Sequence, residues 1–389
     1  MSLKISSFEG ILNKRIVKHR LLSLFICCVS ITVGAQDKLN IGTCTTHDGG
    51  EYTGEIVSKK PHGKGKVVYK NGDVYEGEYK KGKRNGYGVY TFPDGEKYEG
   101  DWLEDHQHGR GTYYFRNNNK YVGLWYRDYQ HGHGVMYYCN DDVYDGNWVK
   151  DKRSGFGKYT YKDNAACYEG EWENDKKNGK GIFKWCDGTV YEGTWRDNMR
   201  HGKGTNIYAS GDKYEGEWKN DSIDGWGVYT FSNGDIYSGN YDKGERHGFG
   251  TFKYANGDKY VGNFEGGCRS GNGTFTWANH DEYVGAWKND LADGKGKLVR
   301  SNGDCYEGTF ERGDMHGEIT IHFHDGSRFK GFYQNGLKNG KAIEEDAKGI
   351  RFEGSYKEGT RNGDYVIKDN NGIVTEEGTY VNGRKKKNK

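Results

Sequence analysis

Two carboxylates two residues apart, Glu215 and Glu217, open the stretch YEGEWKNDSIDGWGVYTFSNGD (214–235). A Gly-x-Gly at Gly225 and Gly227 and a run of aromatics follow them. On a strand such a pair shares one face about 7 Å apart, within the separation of an inverting glycosidase's acid and base. A Gly-x-Gly can also cradle a phosphate when a helix N-terminus follows it. Six histidines, His62, His108, His131, His201, His247 and His316, each precede a glycine, and the H-x-H pairs His106/His108, His131/His133 and His322/His324 each offer two metal ligands.

Recurrence undercuts each of these chemistries. Glu76/Glu78, Glu99/Asp101 and Glu169/Glu171 repeat the acidic pair in phase, whereas an enzyme needs one asymmetric constellation. The acids therefore read as the solvated face of a strand. Each Gly-x-Gly opens a strand rather than a helix, and no G-x-x-x-x-G-K-[ST], G-x-S-x-G or H-E-x-x-H occurs. Histidines in a shared phase would stand about 10 Å apart, too far to share a metal. The sequence predicts no catalytic residue, no cofactor and no metal site.

What positions these residues is a 23-residue period. Units begin at Tyr52, Tyr75, Tyr98, Tyr121, Tyr144, Tyr168, Tyr191, Tyr214, Tyr237, Tyr260, Tyr283, Tyr306, Phe329 and Phe352, and fourteen of them fill residues 52–374. Positions 3 and 12 are Gly in every unit. Position 14 is Gly until Ile319, Ala342 and Tyr365 replace it in the last three. In the unit at 214 the positions that define the repeat are Tyr214, Gly216, Trp218, Gly225, Gly227, Tyr229 and Phe231. Tyr214, Gly216 and Trp218 alternate with polar residues, as do Gly227, Tyr229 and Phe231, which is the period of strands with one covered face. A polar loop ending at Gly225 is expected between them, and turn signals such as NGD follow. Each unit is thus a hairpin that must bury its aromatics against neighbours. The fold class is all-β: an elongated, twisted, single-layer antiparallel sheet of stacked hairpins, solenoid-like. Two strands per unit at about 4.8 Å give roughly 10 Å per repeat and a ribbon on the order of 130 Å long.

These residues resemble the MORN repeat, whose pattern is Y-x-G-x-W followed by G-x-G and an aromatic. The last three units are similar to its degenerate variant. The resemblance implies an extended hairpin array acting as a scaffold, an adaptor or a membrane-proximal module, without catalytic residues of its own. It also implies contact with phosphoinositides and membranes. Similar repeats precede a lipid-kinase domain in plants, but only 15 residues follow residue 374 here, so a role as accessory to such an enzyme would need the kinase elsewhere.

The ends read differently. Lys14, Arg15, Lys18 and Arg20 precede an apolar run, 21–35, that closes on Val33 and Ala35. This reads as a signal peptide, 1–35, cut between Ala35 and Gln36, with an uncleaved anchor over 21–35 as the alternative. Export to the periplasm, the cell surface or the medium is expected. Residues 36–51 are expected to be a linker, and 375–389 a partial repeat with a basic tail. Without 1–35 the chain keeps 53 basic and 55 acidic residues (58 − 5 and 56 − 1), a net of −2, which gives no footprint for nucleic acid. Clustered cation occurs only at Arg384, Lys385, Lys386, Lys387 and Lys389, a possible contact for an anionic surface. Cys44, Cys139, Cys167, Cys186, Cys268 and Cys305 fall at phases too far apart for most pairings, so mostly free thiols are expected. The sequence favours a non-enzymatic scaffold that binds a protein partner or a membrane surface. An exported glycan- or envelope-binding module is the alternative, and self-association through exposed end strands fits either reading.

Overall fold

The computed structural model describes residues 40–163 and 165–386. The expected signal segment 1–35 with its cut, and Lys387 and Lys389, lie outside the described residues. Thirty-two strands, numbered β1 (Asn40–Thr45) to β32 (Arg384–Lys385) in chain order, form one sheet. Pairing is antiparallel between chain neighbours, as from β15 (Met199–Ile207) to β16 (Lys213–Lys219), β17 (Ser222–Thr230) and β18 (Ile236–Asp242), except that β28 (Arg351–Lys357) pairs both with the two-residue β29 (Thr360–Arg361) and past it with β30 (Gly363–Lys368). β1 pairs with β2 (Glu51–Val57), and β32 pairs with β31 (Val374–Val381). The sheet is open and does not close into a barrel. Residues 36–51, expected as a linker, contain β1, which extends the repeat pattern by placing Cys44 opposite Tyr52 and Gly42 opposite Gly54.

The polar loop expected within each unit is shorter than its sequence suggests. β16 and β17 are joined by two residues, Asn220 and Asp221, at φ 49° and 68°, the left-handed pair of a twist-matched hairpin turn. Gly225 lies inside β17 instead of ending a loop. The register steps from Gly216↔Gly227 to Trp218↔Ile223, so 224–226 bulge against Glu217 alone, with Gly225 at φ +102°. A bulge of this kind needs a residue free to take positive φ, which explains a glycine at position 12 of every unit. The second turn is closed by Phe231 N–H to Asp235 O and Gly234 N–H to Phe231 O, both 2.9 Å. Phe231 therefore stands one residue past β17 and begins this turn. In the 24-residue unit the extra residue is absorbed here, where Tyr161 N–H reaches Ala166 O.

The core is one face of the sheet. Tyr214 is fully buried, and its ring lies over the Gly216–Gly227 pair: a Cβ on Gly227 would stand 2.4 Å from Tyr214 Oη. Trp218 meets Tyr214 and Tyr191 edge-on, both at 5.4 Å, contacts worth about 0.5–1.5 kcal/mol each beyond area burial. This seam runs from Tyr52 to Phe310. A second cluster, Ile319 to Tyr380, takes over in the last units. Ile319 fills the space over Gly308, 2.5 Å from where its Cβ would be, and Tyr306 is only part-buried.

Candidate binding surface

The apparent active site is part of the scaffold. Glu215 is exposed and pairs with Lys213 at 2.8 Å. Glu217 caps the bulge: its carboxylate accepts Trp226 N–H at 3.3 Å and covers Gly225. Glu55 and Asp101 do the same for Lys64 and Arg110, while Asn147 donates to Phe156 O. Where position 4 is polar it thus satisfies bulge backbone, whatever its charge, whereas Leu124, Ala286 and Phe332 only cover it. On the seam face Tyr214 Oη donates to Glu217 O at 3.0 Å and Trp218 Nε1 to Gly204 O at 3.3 Å. Tyr229 packs against Phe231 with ring centres 4.5 Å apart and planes tilted by 43°.

Two further positions lock each unit to the next, and neither was singled out in the sequence. At position 10, Arg200 lies 4.1 Å from the centre of the Trp218 ring and donates to Asp221 Oδ1 at 3.0 Å and Asp221 O at 2.9 Å. Arg153–Asp175 and Arg269–Asp290 repeat the clamp. Against the cost of burying Asp290, the backbone N–H and guanidinium of Arg269 hold its pKa below the usual range. Lys177 breaks the series. Asn198 stands where Asp175 and Asp221 stand in the neighbouring units, the ammonium lies 4.5 Å from Phe183 and 4.7 Å from Trp195, and burial pushes its pKa down to about 8. On the other edge, aspartates that end the second turn grip the following turn. Asp212 accepts Ser232 N–H at 2.7 Å and Tyr229 Oη–H at 3.1 Å. Arg300 at 2.7 Å, then Ser301 N–H at 2.7 Å, lower Asp281 to about 2. The sequence signal for both locks was the recurrence of Arg and Asp at fixed phase.

The opposite face is where rings are left uncovered. Position 13 puts Tyr87, Phe156, Trp226 and Phe249 there, between 51% and 60% exposed. The unit at 121–143 adds exposed Val122, Leu124, Tyr126, Tyr129 and Tyr137 on this face. Side chains from positions 4 and 13 form one row and those from 2 and 15 another, with the glycine pairs running between them. Tyr87, Arg110, Leu124 and His133 wall an open trough of 580 Å³ over Gly111 and Gly123. Lys203, Glu215, Glu217 and Trp226 wall another of 410 Å³ over Gly204 and Gly216. The seam face also has a trough, beside Trp125 and Trp148, but its aspartates are committed: Asp128 and Asp151 each accept a backbone N–H at 2.8 Å.

The other candidates separate. His108 and His131 flank the Tyr126 ring at 5.4 and 5.8 Å. Asp128 takes His106, Asp145 takes His133 and Asp304 takes His324. Among the described residues no three metal-ligating side chains converge. The six cysteines are free. In the basic tail, Lys385 pairs with Glu376, while Arg384 and Lys386 are exposed.

The MORN repeat family matches thirteen consecutive segments, from 52–74 to 329–351. The fourteenth unit lies beyond the match, yet its hairpin continues the sheet. No curated protein matches the chain. Among solved structures, the chain is similar to the TCP10 domain of Danio rerio CPAP in complex with a peptide of Danio rerio STIL. Identity is 14% over 52% of this chain and 96% of that one, with a TM-score of 0.31. A SAS-4 (dCPAP) TCP domain in complex with a proline-rich motif of Ana2 of Drosophila melanogaster matches at 13% identity, over 40% and 85% of the chains, with a TM-score of 0.27. A streptogramin B lyase matches at 10%, over 80% and 89%, with a TM-score of 0.13. Scores this low carry no argument about function.

Proposed function

Because the chain belongs to the MORN-repeat family, we propose that it is a non-enzymatic scaffold whose binding surface is the face opposite the aromatic seam. The observation that carries this reading is the sorting of rings. Leading tyrosines and position-5 indoles are buried on one face, while Tyr87, Phe156, Trp226 and Phe249 stand half-exposed on the other. Exposed rings recurring on one face across several units, with polar residues between them, are the feature that supports this surface as the interaction site. Export with cleavage before Gln36 is part of the proposal, since the compartment decides which partners the face meets. Membrane contact through the basic tail is the second reading, but the Lys385–Glu376 pair takes one cation out of it.

Leu124→Glu with Tyr137→Glu tests the assignment. Both side chains are exposed, so the thermal midpoint should hold while retention of the chain's partner, whether vesicle, glycan or protein, falls. Unchanged retention would move the site off this face. Turnover of any phosphoinositide or glycan would overturn the non-enzymatic reading.

A further inference from the structure

We infer that the open-face trough over the units from Tyr75 to Tyr144 takes a neutral, linear polysaccharide, a reading that rests on this face being the binding surface. Position 13 supplies a planar group in four successive units, Tyr87, Arg110, His133 and Phe156. Three of them wall the same 580 Å³ trough. One planar group per repeat recurs at about 10 Å, along a channel open at both ends. That suits a stiff polymer of flat rings better than any compact ligand. The C–H faces of sugar rings stack on such side chains, and their hydroxyls need acceptors at the rim. Glu99 is placed there, held by Tyr87 Oη–H at 2.9 Å and Lys97 at 3.1 Å. The same row resumes at Trp226 and Phe249, beside the 410 Å³ trough with Glu215 and Glu217.

Other polymers fit less well. A polyanion requires several unpaired cations, yet Arg110 alone is free of a carboxylate along the trough: Lys97 beside it is paired with Glu99, and His133 meets Asp145 at 3.1 Å. An extended peptide binds a sheet by adding at its edge. Along this trough Gly100, Gly111 and Gly123 already pair across the ladder, leaving no row of free backbone groups. An amphipathic helix needs a continuous apolar groove, which Glu99, Arg110 and Thr112 interrupt.

Native electrophoresis of the full chain through gels cast with linear β-glucan, with xylan or with polygalacturonate tests this. Retardation is expected in at least one neutral gel and not in polygalacturonate. The double variant Tyr87→Ala with Phe156→Ala should bind about tenfold more weakly or worse. Its thermal midpoint should be unchanged, because both rings stand off the seam. Retardation by polygalacturonate alone, equal retardation of the double variant, or no retardation in either neutral gel would overturn the inference. If a protein or vesicle is captured by this face instead, the glycan is wrong and the scaffold reading stands. Shortening of the glycan would instead overturn the non-enzymatic reading.

Discussion

A methyl group on Gly227 would stand 2.4 Å from Tyr214 Oη and 2.5 Å from Cε2 of its ring. That tyrosine is fully buried and cannot retreat, so Gly227→Ala should cost about 1–3 kcal/mol, read as a lower urea midpoint. The close packing of ring on glycine was legible in the sequence, because Tyr, Gly and Gly recur at positions 1, 3 and 14. The role of Glu217 was not, because its bond to Trp226 N–H, nine positions along the chain, exists only once the bulge brings the two together. Charge effects belong to this scale too. Asp281, lowered to about 2 by Arg300 and Ser301 N–H, and Asp212 and Asp304, lowered by the backbone N–H groups of Ser232 and His324, all favour the folded state when ionised. A depressed carboxylate gives stability that is complete above the unfolded pKa of about 3.9. It is lost as pH falls through the folded value. The thermal midpoint should therefore stay level down to about pH 4 and drop towards pH 2, and Asp281→Ala should shallow that drop.

At the scale of the hairpin, stability lies in contacts that cross from one unit to the next. Arg200→Ala removes both the stack on Trp218 and the bonds to Asp221, whereas Asp221→Asn keeps a residue that tolerates the left-handed turn and weakens only the bonds to its side chain. The arginine variant should lose more, about 1–2 kcal/mol, and a double-mutant cycle in urea should show coupling between the two. Partners 21 residues apart could not be paired from sequence, although the shared phase of Arg153, Arg200 and Arg269 marks the position. Burial raises Tyr191, Tyr237, Tyr260 and Tyr283 to about 12. A raised tyrosine gives stability that is complete below its unfolded pKa of about 10 and lost as pH climbs through the folded value. An alkaline titration followed by tyrosinate absorbance should show a late, cooperative step that coincides with loss of the sheet. Two-residue turns with left-handed non-glycine residues such as Asn220 and Asp221 were misread as longer loops, since composition there looks the same for both.

For the molecule as a whole, backbone pairing joins each unit only to the units beside it, so stability is close to a sum of units and interfaces. Excising residues 214–236 joins Lys213 to Tyr237 in phase. It should leave the thermal midpoint within a few degrees and shorten the particle by roughly 10 Å in small-angle scattering. Excising 214–235 instead leaves a 24-residue unit with its extra residue beside the second turn, where the unit at 144 absorbs one, and should fold as well. The period made this architecture readable before any coordinates, while the side chosen for binding was not, because rings on both faces share one amino-acid alphabet. The ladder bonds between antiparallel strands run perpendicular to the strands, which is along the length of the ribbon, with β1 and β32 at opposite extremities. Tension applied between those ends does not shear the sheet. It peels the outermost strand bond by bond, and each 23-residue unit pays out roughly 80 Å of slack while the rest stays folded. Stretched, this protein is a reel that yields at low force in even steps, and an optical trap would count its repeats one by one.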